Sequence, residues 1–121
     1  MCKQILDLDN TVRFVGIASI EGTLIAQQYR EGLKPFLTTE ESELSVVQSI
    51  IRMGTRKAIE GKVGKTIYAF AMYEKVKRAT IPLGNDNILM ISFDTDANHE
   101  FIILNKILPL LRKDYSKESV T

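Results

Sequence analysis

Residues 12–29, VRFVGIASIEGTLIAQQY, carry the pattern that decides the fold. The first half, Val12 to Ile20, alternates as a strand does. Phe14, Gly16, Ala18 and Ile20 fall on one side, and Arg13, Val15, Ile17 and Ser19 on the other. Both sides are mostly apolar, so this strand belongs inside a sheet that is covered on two faces. Glu21-Gly22 makes a tight turn, because glycine accepts a positive φ without steric cost. Residues 23–29 return as the second strand of a hairpin. Gln27 and Gln28 mark its end as exposed or at a sheet edge.

Outward from the hairpin, helical and extended patterns alternate. Residues 3–9 predict one or two helical turns, with Ile5 and Leu8 on one side, broken by Asp9-Asn10. Residues 30–37 form a loop containing Gly32 and Pro35. Thr38 and Glu41 then stand at capping-box spacing, in which the hydroxyl and the carboxylate each accept an orphan amide. They open a helix predicted over residues 39–60. Glu40, Glu41 and Glu43 suit its positive end, and Arg56 and Lys57 its negative end. Gly61 is the expected stop. Leu44, Val47, Ile51 and Ala58 form one apolar stripe, and Val46, Ile50 and Met53 form a second. Together they cover more of the circumference than packing on one sheet face requires.

Three strands follow, at residues 66–73, 76–83 and 88–93. They are joined by Glu74-Lys75 and by the turn cluster Gly84-Asn85-Asp86-Asn87. Asp96 is the expected cap of a last helix over residues 97–113. Pro109 inside it predicts a kink or an early end, since proline lacks an amide and its ring crowds the preceding turn. The chain therefore reads as one α+β domain over residues 1–115, with a flexible C-terminal tail at 116–121. Its element order is α-β-β-α-β-β-β-α. The sheet is five-stranded and mainly antiparallel, with a long middle helix and terminal helices packed on it as an α/β sandwich.

Composition limits what such a domain does. The chain has 121 residues and is 45% hydrophobic, enough for a core without staples. No apolar run approaches the roughly 20 residues of a membrane span. The N-terminus is too short and acidic for a signal peptide. One cysteine, Cys2, closes no internal disulfide, which predicts a reducing, cytoplasmic setting. Net charge is +1 overall but unevenly spread: residues 52–78 carry +6, residues 1–51 carry −3 and residues 79–121 carry −2. Arg52, Arg56, Lys62, Lys65, Lys75, Lys77 and Arg78 are thus candidate contacts for an anionic partner.

No chemical motif survives inspection. Gly64-Lys65-Thr66 resembles the end of a phosphate-binding P-loop. The required upstream glycine would fall at Ile59, however, and a helix precedes where a strand should. Asp94, Asp96, His99 and Glu100 could surround a cation, but they match no calcium or zinc pattern and fit a helix cap better. A Cys2–His99 pair has no support from the sequence. Tyr68, Phe70 and Tyr73 are interleaved with basic residues, yet they fall on both strand faces, as core residues do, so nucleic acid is not an expected ligand. No catalytic, cofactor-binding or metal-ligating set assembles, and no enzyme is expected.

The hairpin VRFVGIASIEGTLIAQQY, the long helix, the meander from Thr66 to Phe93 and the closing helix together resemble the roadblock/dynein-light-chain domain. The likeness covers nearly the whole chain and rests on topology rather than on a residue signature. It departs in the length and polarity of YREGLKPFLTTEE, residues 29–41. The resemblance implies a noncatalytic platform, dimeric through the long helices and the edge strand after them, that serves small Ras-like GTPases or other complexes. The chain's own pattern agrees on a homodimer. Val46, Ile50 and Met53, with Gly54 allowing close approach and Lys57 beside them, are the expected interface. Ile67, Tyr68, Ala69 and Phe70 of the following strand complete it. The alternative reading is a PAS- or profilin-like small-molecule sensor, with space for a ligand left by Gly16 and Ala18.

Overall fold

In the computed structural model, which describes residues 1–119, the hairpin forms as β1 (Val12–Ser19) and β2 (Leu24–Tyr29). Gly22 adopts φ 99°, as the turn demands. β3 (Ala69–Met72), β4 (Lys77–Leu83) and β5 (Asn87–Phe93) complete a five-stranded sheet in the order β2-β1-β5-β4-β3. Every pairing is antiparallel. β5, the most apolar strand, lies in the centre, and β2 and β3 are the two edges. Backbone order and side-chain alternation thus agree with the sheet read from the sequence.

The two faces are covered unequally. On one face, α1 (Cys2–Leu6) and the C-terminal helical segments bury Ile5, Ile102, Ile103 and Ile107 against Val12, Val15, Ile81, Leu89, Ile91 and Phe93. This large core supplies most of the apolar burial that drives folding. On the other face, α2 (Thr39–Lys57) packs Val46 and Met53 on Ala18, Ile88 and Met90. That second core is small.

Helix boundaries differ from expectation where local chemistry intervenes. The capping box is present: Thr38 Oγ1 accepts the Glu41 amide at 3.1 Å and Glu41 Oε1 accepts the Thr38 amide at 2.9 Å. The single helix expected over 39–60 is instead α2 followed by a one-turn α3 (Glu60–Val63). Gly61 lies inside α3, and Gly64, at φ 92°, ends it. Glu60 Oε2 accepts the Thr66 amide at 2.9 Å and ties this turn to the approach to β3. β3 starts only at Ala69, three residues later than expected.

At the C-terminus, Asn98 rather than Asp96 caps the helix, with Oδ1 accepting the Phe101 amide at 3.2 Å. The chain is helical through α4 (His99–Ile102), a π-helical stretch Ile103–Ile107 and α5 (Leu108–Ser119). Pro109 neither ends the helix nor shortens it. The wider π turn just before it absorbs the missing amide and the crowding by its ring. Of the tail expected at 116–121, residues 116–119 continue α5, and residues 120–121 lie outside the described residues. No described helix is long and apolar enough to cross a membrane.

Candidate functional site

The surface of α2 decides which residues are free to meet a partner, and it inverts the expected assignment. Val46 and Met53, expected at a dimer interface, are 7% and 4% exposed and face the protein's own sheet. Ile50 packs beside them. The other stripe is the open one: Leu44, Val47 and Ile51 are 57%, 44% and 63% exposed. Two apolar stripes on one helix do not say which of them meets the sheet. The small serines do: Ser45 and Ser49 lie buried on the sheet side, where they let α2 approach. Gly54 and Lys57 are exposed.

The β3 edge is partly as expected. It is an outer strand with one unpaired side. Ile67 is exposed before it, and Ala69 and Phe70 are half-buried within it. Tyr68 packs on the large core. The Phe70 ring stacks on His99 at 3.8 Å, nearly parallel, on the face away from α2. Between α2 and β3, Ile59, Val63 and Ile67 are also exposed.

The basic residues separate into three sorts. Lys62, Lys65 and Lys75 are exposed. Lys77, expected to meet an anionic partner, is buried, and its Nζ donates to the Ala97 carbonyl at 2.7 Å. It takes no part in the surface. Arg52, Arg56 and Arg78 line one cleft of about 270 Å³ between the second half of α2 and the β3–β4 side of the sheet. Arg78 also donates to Ser45 Oγ.

The acidic cluster of the sequence does not assemble. Asp94 instead takes Arg30 Nη1 at 2.8 Å and Arg13 Nη1 at 3.2 Å. The hydrogen bond from Arg30 holds its carboxyl below the usual carboxylate range; burial opposes it, and Arg13 adds a smaller lowering effect. Arg13 also lies over the Phe36 ring at 4.5 Å, which fastens the loop after β2 to the sheet. His99 Nδ1 is buried with no hydrogen-bond partner among the described residues, and burial, then nearby Lys77, lowers its pKa. Among the described residues no three His, Cys, Asp or Glu side chains gather around a metal position. Cys2 is buried in the large core.

The room expected at Gly16 and Ala18 is closed. A Cβ on Gly16 would meet the tip of the Phe14 ring at 2.7 Å, so that ring already fills the space. Sequence reading missed the cleft further across the sheet. Its signal was present in the small side chains Ala69, Ala71, Thr80 and Ser92, but only strand register puts them side by side.

This sheet order, the long helix on one face and the paired terminal helices on the other constitute the roadblock/LC7 fold. No family model matches the sequence, and no curated protein matches it. Solved structures do match. A roadblock/LC7 domain from Streptomyces avermitilis has a TM-score of 0.73 at 8% identity over 99% of this chain and 95% of its own. The gliding protein MglB from Thermus thermophilus has a TM-score of 0.70 at 12% identity, covering 85% of this chain and 75% of its own. Myxococcus xanthus MglB has a TM-score of 0.67 at 14% identity, over 97% and 86%.

Proposed function

We propose that this protein is a noncatalytic, cytoplasmic interaction platform that works as a homodimer and serves a small Ras-like GTPase. The observation that carries the reading is the open face of α2. Leu44, Val47 and Ile51 recur at helix spacing on the side opposite the sheet, and Ile59, Val63 and Ile67, which lie in the chain between α2 and the unpaired β3 edge, are exposed as well. Exposed apolar residues next to an open sheet edge invite a second copy.

Charge favours a twin. The first turns of α2 hold Glu40, Glu41 and Glu43, and its last turn holds the exposed Lys57, outside the cleft that Arg52 and Arg56 line. Two copies related by a two-fold axis, with α2 antiparallel to α2, set each acidic N-terminal half against the Lys57 end of the other. The apolar stripe then lies along the seam. The GTPase element of the proposal follows the roadblock likeness and the gliding proteins among the similar structures.

Sedimentation of wild type and Ile51→Asp tests the dimer. Wild type runs at twice the chain mass, and the variant runs as a folded monomer. A monomeric wild type removes the proposal. Capture from native lysate, with Ile51→Asp as the control, tests the partner. A GTP-binding protein retained by wild type supports the platform.

A further inference from the structure

The cleft beneath the second half of α2 is built unlike the rest of the sheet surface. Its floor is Ala69, Ala71, Thr80 and Ser92, all small, and its roof is Ser49, Arg52 and Arg56. The helix does not collapse into this space. Val46 and Met53 hold it off on Ala18, Ile88 and Met90, and Arg78 joins β4 to Ser45. Phe14 and Met90 supply an apolar wall.

Three guanidinium groups line this one cleft, and among the described residues no carboxylate lines it with them. Ion pairs among the described residues join Lys3 to Asp7, Arg13 and Arg30 to Asp94, and Lys106 to Asp9; none includes Arg52, Arg56 or Arg78. Like charges gathered without a counter-charge repel, and an anion placed among them removes that cost. Guanidinium forks match phosphate and carboxylate oxygens in pairs, so the groups present select such an anion.

We propose that this cleft binds a small organic anion, a phosphate or carboxylate carried on a compact apolar body. Arg52, Arg56 and Arg78 hold the anionic group, and Phe14 and Met90 hold the body. At about 270 Å³ the cleft admits a body of about one ring. The site goes beyond the platform role and does not depend on it, because Ile51 points away from the cleft.

Amide chemical shifts during titration with phenyl phosphate test the site, with inorganic phosphate and phenol titrated separately. The expected result is saturable shifts at Ser49, Ala69, Ala71, Arg78 and Thr80, with affinity at least about tenfold above that of either fragment. Arg56→Ala removes one half-buried arginine from the cleft and weakens binding about tenfold, since one charged hydrogen-bonding fork is lost. Ala71→Phe fills the cleft and abolishes binding, and Ile51→Asp leaves it unchanged. Shifts that are absent, that inorganic phosphate reproduces with equal affinity, or that survive both Arg56→Ala and Ala71→Phe would overturn the proposal. Loss of binding in Ile51→Asp would overturn the location.

Discussion

Asp94 shows what one residue does in this fold. It takes Arg30 from the end of β2 and Arg13 from β1, and so pins the edge hairpin to the sheet's centre. Its folded pKa is depressed. Its contribution is therefore present above the unfolded carboxylate value and is lost as pH falls through the folded one. Asp94→Asn should cost about 1–2 kcal/mol at pH 7. The difference from wild type should vanish in strongly acidic urea melts. A gap that stays constant down to that pH would mean the ion pairs contribute nothing. Thr38 offers a second test at this scale. Thr38→Ala removes the cap of α2 and should cost about 1 kcal/mol in urea unfolding. Both partners of the cap were legible in the sequence, because a cap is local. The Asp94 partners were not, because Arg13 and Arg30 lie 81 and 64 residues away along the chain.

At the scale of the element, α2 carries the sharpest contrast. Its two apolar stripes differ little in hydrophobicity but fully in environment. Val46→Asp puts a charge on the buried side and should cost about 3–5 kcal/mol, seen as a large fall in the urea midpoint. Ile51→Asp changes the open side and should leave the monomer's fold intact while separating the dimer. If the two variants unfold alike, the orientation of α2 is wrong. Sequence periodicity found the helix and both stripes, since periodicity is a property of the helix alone. Which stripe turns inward depends on what the sheet presents: the floor of Ala18, Ile88 and Met90 receives Val46 and Met53. The C-terminal helix teaches the same point. Pro109 was visible as a disturbance, but the neighbouring core, with Ile103, Ile107 and Leu108 buried, keeps the helix going and moves the disturbance into a π turn.

For the whole molecule, the uneven covering of the sheet is the main fact. The α1/α5 side holds a large core, and the α2 side holds a small one, an open apolar stripe and a basic cleft. The large core and the proposed recognition surfaces thus lie on opposite faces. The proposed dimer sets the acidic N-terminal half of each α2 against the Lys57 end of the other around an apolar seam, so salt should weaken it only in part. Raising ionic strength from low to about 0.5 M should lower the association constant several-fold, as screening removes the charge term and leaves the seam. A dimer indifferent to salt would argue against the antiparallel pairing of charges.

The sequence by itself determined the elements, their order, the antiparallel meander, the α2 cap and the absence of recognised catalytic motifs. Each of these rests on residues close together in the chain, where spacing and turn chemistry act directly. Only the tertiary structure decided that Val46 and Met53 belong to the core, that Lys77 is buried, that Asp94 serves two arginines, and that three other arginines share a cleft. Those facts depend on strand register and on how α2 is rotated about its own axis. Both are set by packing between segments far apart in sequence, and no local pattern encodes that rotation.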